Sequence, residues 1–146
     1  MATSIRQAVE LLASTTVTAD STGTTAVRLL DRIPNVQGIV FVLDVTDADT
    51  NVDDTLDVFV QTKCDGTNWV DVVAFTQLLG NGSDTVRHVG KILASAATTM
   101  FENATALTAG NVRHLFGEEW RVRYDFTDGG GAGTAQFVIS VTATPL

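Results

Sequence analysis

The residues best suited to bind a ligand are oxygen-bearing side chains in one acidic stretch, residues 47–54. Four of them fall at alternate positions, as the first ligands of a calcium-binding loop do: Asp47, Asp49, Asn51 and Asp53. An EF-hand is excluded, because its sixth position needs glycine and its twelfth needs glutamate, and Val52 and Val58 stand there. We predict a solvated loop with no metal and no cofactor, and a looser calcium site stays open as the alternative.

Three other side chains have the chemistry of a nucleophile or a base, but none has a partner in the sequence. His88 and His114 lie in no recognisable motif, and metal sites and general bases need several cooperating residues. Cys64 continues an alternating apolar pattern, and Lys63 is the only basic residue beside it. We therefore assign all three to structural or surface roles and predict that the chain is not an enzyme.

Aromatic side chains offer a different chemistry, because sugars stack on exposed aromatic faces. Four candidates lie in or beside alternating stretches: Phe59, Trp69, Trp120 and Tyr124. Core packing is the favoured interpretation at such positions, and Phe59 is the exception because it points away from the Val58 side. The glycine-rich stretch DGGGAG, residues 128–133, is not a phosphate loop, since it lacks the lysine and joins two strands.

The elements that position these residues are strands. Residues 55–75 alternate between apolar and polar, turn at Asp65-Gly66 and alternate again, which predicts a β-hairpin. Further strands are predicted over residues 37–46 and 85–93, and residues 119–146 predict a second hairpin around the glycine-rich turn. Residues 94–111 have no clear period and are predicted to form a long irregular connection.

These elements predict an all-β fold, a single antiparallel β-sandwich. A jelly roll is one strand order that such a sandwich can have. The sandwich domain is assigned to residues 17–146. Residues 1–16 are interpreted as an N-terminal arm or a short helix, with Ile5, Val9 and Leu12 along one helical face.

Composition narrows the classes of partner. The chain of 146 residues has 17 acidic and 9 basic residues, a net charge of −8, so nucleic-acid binding is not expected. No apolar run approaches the length that crosses a bilayer, and no signal peptide is recognised, so we expect no membrane and synthesis in a cytoplasm. The single cysteine excludes a disulfide within the chain.

Two segments carry a family resemblance. LDVFVQTKCDGTNWVDVVAFTQ, residues 56–77, and FGEEWRVRYDFTDGGGAGTAQFVISVTATPL, residues 116–146, resemble small structural proteins of tailed bacteriophages. The resemblance implies a non-enzymatic virion protein of the capsid-decoration (cement) type, made in the host cytoplasm and bound to the capsid exterior. Its implied partner is the major capsid protein, on which it would form a homo-oligomer. The alanine- and threonine-rich stretch after Leu93 departs from the family pattern.

Partner contacts are expected from the N-terminal arm, the long connection and the outward-facing aromatic residue of the hairpin. The residues assigned to this role are Ile5, Val9, Leu12, Phe59, Met100 and Phe101. Two alternatives stay open: a phage tail or head-fibre module, and a carbohydrate-binding β-sandwich.

Overall fold

The structure is a computed structural model that describes residues 7–18, 22–24, 28–29, 36–80, 86–130 and 136–146. These residues form ten strands and no helix. The strands are β1 (Val9–Thr18), β2 (Thr22–Thr24), β3 (Arg28–Leu29), β4 (Gly38–Asp47), β5 (Thr55–Lys63), β6 (Trp69–Ala74), β7 (Leu78–Leu79), β8 (Val86–Leu93), β9 (Glu119–Thr127) and β10 (Gln136–Pro145).

The strands form two antiparallel sheets that pack face to face, which confirms the predicted β-sandwich. One sheet has the order β1-β10-β4-β8. The other has the order β2-β9-β5-β6, with β3 paired to β9 and β7 paired to β5. Inward side chains from both sheets build one hydrophobic core, in which the largest fully buried residues are Trp120, Phe41 and Phe137.

The β5–β6 hairpin forms as predicted, with Leu56, Val58 and Val60 in the core. Its turn is longer than the Asp65-Gly66 pair alone would require, because β5 ends at Lys63 and β6 begins at Trp69. Gly66 has a φ of +75°, a conformation that favours glycine. The Asp65 carboxylate organises the turn by accepting hydrogen bonds from the N–H groups of residues 67 and 68, at 2.8 and 2.7 Å.

The turn has a pH dependence that can be measured. Hydrogen bonds from the backbone and side chain of Asn68, and then from the Thr67 N–H, lower the pKa of Asp65 to about 2. The stability that this carboxylate contributes is therefore present above its ordinary pKa of about 4 and is lost as pH falls toward 2. We expect the melting temperature of Asp65→Asn to approach that of the wild type as pH falls from 5 to about 2. A difference that stays constant across this range would contradict the role of the charge.

The second predicted hairpin, residues 119–146, is wrong as a pairing although both of its strands exist. β9 pairs with β5 in one sheet, and β10 pairs with β1 and β4 in the other. The glycine-rich stretch therefore connects the two sheets. Alternation predicts which side chains face inward, but it does not specify the neighbouring strand, and strands in opposite sheets of a sandwich alternate in the same way.

Residues 9–16, part of the segment interpreted as an N-terminal arm or a short helix, lie in a strand and not in a helix. Residues 9–18 form β1, which pairs along β10 from Val9↔Ala143 to Thr18↔Gln136. Leu11 and Leu12 are both buried although they are consecutive, because register shifts flank Leu12. The assigned boundary between residues 16 and 17 thus falls inside a strand, since the edge of the sheet offers backbone partners that a two-turn helix would lack.

Candidate partner-binding surface

The six residues assigned to partner binding fall into three groups. Ile5 lies outside the described residues. Val9 and Leu12 belong to β1, where Leu12 is 8% exposed and contributes to the core, so its side chain does not present a contact surface. Phe59, Met100 and Phe101 lie outside the core, and Met100 is 96% exposed.

The connection between β8 and β9, residues 94–118, is held against the edges of both sheets. Its backbone pairs with β6: the Ala74 N–H donates to Asn111 O at 3.0 Å, and the Arg113 N–H donates to Val72 O at 2.8 Å. On the other side, the Leu93 N–H donates to His114 Nδ1 at 2.9 Å. The connection therefore covers the otherwise open edge of β6 and joins it to the end of β8.

Asp71 on β6 links this connection to the outer face of the sheet. The side chain is 8% exposed, and its Oδ1 accepts a hydrogen bond from Gln61 Nε2 at 2.7 Å. Its Oδ2 accepts the Leu107 N–H at 3.3 Å and lies 3.9 Å from Arg123 Nη2. Arg113 Nη1 donates to the Asp71 backbone oxygen at 3.3 Å. One buried carboxylate thus orders the connection, β5 and β9 together.

The two aromatic residues of the surface are each covered by an arginine of this network. The Arg123 guanidinium carbon lies 4.0 Å from the Phe59 ring centre, and that of Arg113 lies 3.7 Å from the Phe101 ring centre. These contacts are cation–π interactions, which restrain the rings without burying them in the core. Phe59 and Phe101 are therefore tied, through Arg123, Arg113 and Asp71, to one continuous surface, which we call the loop surface: residues 59, 71, 100, 101, 113 and 123.

Met100 is the part of the loop surface that projects farthest into solvent. Polar contacts fix the chain on both sides of it, because Thr98 Oγ1 accepts the His114 N–H at 2.9 Å and Thr105 O accepts from Arg113 Nη2 at 3.1 Å. A methionine side chain is flexible and polarisable, so it adapts to an apolar partner. The arrangement presents an apolar tip on an ordered backbone.

Of the four aromatic residues considered for a sugar-stacking platform, one lies in the core and the other three are half-buried. Trp120 is buried, with its ring centre 5.6 Å from that of Phe41. Trp69 is half-buried, and its ring centre lies 4.8 Å from Lys63 Nζ and 4.2 Å from the Arg121 guanidinium carbon. Cations occupy positions over the rings of Trp69 and Phe59 that a sugar would need for stacking.

His114 and Cys64 are two of the residues with base or nucleophile chemistry, and the described residues do not bring either of them into a catalytic arrangement. His114 Nδ1 accepts a backbone hydrogen bond, which is a structural role. Cys64 is exposed at the end of β5, where it helps line an open cleft of about 610 Å³ that contains no histidine. Partial burial, and then the Asp65 carboxylate, raise the pKa of the Cys64 thiol, which is the opposite of an activated thiolate.

The acidic stretch between β4 and β5 is not the solvated loop that was predicted. Asp49, Asn51 and Asp54 are buried, whereas Asp47, Thr50, Val52 and Asp53 are exposed. Among the described residues, no group of three or more histidine, cysteine, aspartate or glutamate side chains could hold a metal ion. The burial arises because this stretch packs beneath Gly80 and Gly129, whose missing side chains leave room for it.

Asp71, Arg113 and Arg123 are the residues of the loop surface that sequence reasoning missed. Gln61 lies 10 positions from its partner Asp71, and Arg113 lies 42 positions from Asp71, beyond the reach of any local pattern. One signal was available: Asp71 sits between two apolar residues in the second strand of the hairpin, on the same face as Trp69. A carboxylate at this position, opposite Arg121 and Arg123, indicates a network of ion pairs and hydrogen bonds on the outer face of the sheet.

A comparison with models of known protein families finds no match to this chain, and a search of curated proteins finds no matching relative. In the part of the chain that the structure describes, no helix is long and apolar enough to span a membrane. The class that the structure defines is an antiparallel β-sandwich with an ordered loop across one edge.

Proposed function

We propose that this chain is a non-enzymatic structural protein of a tailed-bacteriophage virion, a decoration protein that binds the exterior of the assembled capsid and stabilises it. Its partner is the major capsid protein, and several copies act together on the capsid surface. The observation that carries the proposal is the ordered connection with its 96% exposed Met100 on a rigid sandwich. The resemblance of the two strand segments to phage structural proteins supports the same assignment.

A fixed loop suits this role because binding then costs less conformational entropy. A flexible loop of the same length would lose freedom on contact, whereas this backbone is already held by Asn111, Arg113 and His114. Decoration gains affinity by multivalency, so each contact can be small when several copies engage one shell. One protruding apolar side chain per copy, beside Phe101, provides such a contact.

The proposal is tested by co-sedimentation with expanded heads purified from the phage or prophage that encodes the chain. We expect the wild-type chain to pellet with heads, and Met100→Ser to bind at least about tenfold more weakly, because a central apolar contact contributes about 1.4 kcal/mol or more. Val52→Ser is the matched control, since Val52 is an exposed apolar residue on another loop, 74% exposed.

Failure of the wild-type chain to pellet with heads would overturn the proposal. Association with purified tails instead of heads would favour the tail-module alternative. Equal weakening by Met100→Ser and Val52→Ser would remove the loop surface as the contact.

A further inference from the structure

The loop between β4 and β5 buries two carboxyl groups, and the described residues form no ion pair with either. Asp49 is 1% exposed and Asp54 is 0% exposed. The ion pairs formed by the described residues involve other carboxylates: Asp44, Asp71, Glu119 and Asp125. A buried pair of like charges is unfavourable, so one of the two groups must be compensated in another way.

Asp54 has the hydrogen bonds of an anion. Its Oδ1 accepts the Gly129 N–H at 2.9 Å, and its Oδ2 accepts from Asn51 Nδ2 at 3.1 Å. Its backbone oxygen also accepts the Gly80 N–H at 2.9 Å. Both carboxylate oxygens therefore have N–H donors, as an ionised group requires.

Asp49 is satisfied on one oxygen only. Its Oδ1 accepts the Asn51 N–H at 2.7 Å, whereas its Oδ2 is buried and meets no donor. The Asp49 and Asp54 Cβ atoms would lie 3.0 and 3.2 Å from one Cβ added at Gly80, so the two carboxyl groups are neighbours. A buried oxygen with no donor beside a hydrogen-bonded carboxylate is the arrangement expected when that oxygen carries a proton.

In the described residues of both connections, the charged side chains are all acidic. Asp128, in the connection from β9 to β10, helps to lower the pKa of Asp54. Asp53 follows on the same loop and is exposed. Asp47, at the end of β4, is also exposed, and its Oδ2 accepts from Gln136 Nε2 at 3.4 Å. The described part of both connections therefore supplies no cation to the pair, which favours retention of a proton.

A calcium ion is the other occupant that two carboxylates suggest, and the surroundings do not suit it. Calcium takes about six to eight oxygen ligands. The described residues here offer two buried carboxyl groups, three of whose oxygens already accept N–H donors. Asn51 also turns its amide nitrogen, rather than its oxygen, toward Asp54.

We propose that Asp49 and Asp54 form a buried proton-binding site, in which Asp49 Oδ2–H donates to the Asp54 carboxylate and fastens the acidic loop to the β9–β10 connection. Burial, and then the neighbouring Asp54 charge, raise the pKa of Asp49. Burial opposes ionisation of Asp54 as well, but the hydrogen bonds from Gly129 and Asn51 outweigh it and lower the pKa of that group.

The two shifts have opposite effects on stability. Because the pKa of Asp49 is raised on folding, its contribution is present below the ordinary carboxyl pKa of about 4 and is lost as pH rises through the folded pKa. The contribution of Asp54 is present above about 4 and is lost as pH falls through its lowered pKa. The site therefore weakens on both sides of the ordinary carboxyl pKa.

The test compares unfolding of the wild type and of Asp49→Asn across pH. The asparagine Nδ2–H replaces the Asp49 O–H as donor and does not titrate. Between about pH 4 and the folded pKa of Asp49, we expect the unfolding constant of the wild type to rise by up to about tenfold per pH unit relative to Asp49→Asn. Asp54→Asn should be less stable than the wild type near neutral pH, since it loses an anionic acceptor. Asp53→Asn, exposed on the same loop, is the control and should retain the wild-type dependence.

Carboxyl-carbon NMR of the folded wild type gives a second readout that needs no variant. It should show one aspartate that stays protonated well above pH 4 and whose signal is absent in Asp49→Asn. Two results would overturn the proposal. The first is full ionisation of every aspartate near pH 4. The second is a melting temperature that calcium chloride raises at neutral pH in the wild type but not in Asp49→Asn, since this would place a cation between the carboxylates. Either result leaves binding to heads, and hence the proposed function, untouched.

Discussion

Trp120→Ala is expected to lower the free energy of unfolding by about 3–5 kcal/mol. Trp120 lies at the centre of the core, where its ring contacts those of Phe41 and Phe116 at centroid distances of 5.6 and 6.4 Å. Its Nε1–H donates to Gly117 O at 2.9 Å, so the side chain also fixes the end of the long connection. Alanine would leave a large cavity and an unpaired backbone oxygen.

Chemical denaturation followed by circular dichroism measures this effect. In a thermal melt, domains of this size lose about 2–4 °C of melting temperature per kcal/mol, so the melting temperature should fall by about 10 °C. Trp120→Phe keeps most of the packing and loses the hydrogen bond, and should cost about 1–2 kcal/mol. Trp69→Phe is the matched control at the half-buried tryptophan. A loss below 1 kcal/mol for Trp120→Ala would contradict the assignment of Trp120 to the core.

Asp71→Ala is expected to have the second largest effect, a loss of about 2–4 kcal/mol together with loosening of the connection between β8 and β9. The substitution leaves Gln61 Nε2 and the Leu107 N–H without their acceptor. It also removes the negative charge of Asp71, which lies close to Arg123 and favours the charged form of Arg121.

Hydrogen exchange separates the two parts of this expectation. Amides of residues 105–113 should exchange faster in Asp71→Ala by a larger factor than amides of the core strands β4 and β10. Asp57→Ala is the control: its carboxylate accepts two 3.1 Å bonds from Gln77, which lies between β6 and β7, and among the described residues no side-chain hydrogen bond joins Asp57 to the connection. Uniform acceleration throughout the chain would mean that Asp71 stabilises the fold as a whole and does not specifically anchor the loop.

Local periodicity accounts for the parts of the fold that the sequence predicted. Alternation in residues 37–46 identified β4, whose Ile39, Phe41 and Leu43 are buried. It likewise identified the β5–β6 hairpin, because two alternating runs joined by Asp65-Gly66 leave few other arrangements. Each of these predictions depends on neighbours in the chain.

Interactions between distant residues account for the parts that it did not predict. Alternation predicted the inward-facing residues of β9 and β10, but it did not predict that the two strands lie in different sheets. The acidic stretch looked solvated because its six polar residues are of types that are usually exposed, yet Gly80 and Gly129 bring backbone N–H groups to Asp54. Of the candidate surface, Phe59, Met100 and Phe101 were predicted from their types and positions. Asp71 and the arginines that connect these three residues were not predicted, because they interact with residues that are distant along the chain.

The most direct test of the proposed function is an electron cryo-microscopy reconstruction of heads from the phage or prophage that encodes the chain, with and without the chain added. We expect added density of a β-sandwich on the capsid exterior, oriented with Met100 and Phe101 against the major capsid protein. Density confined to the tail, density oriented with the loop surface toward solvent, or no added density at saturating concentration would contradict the account.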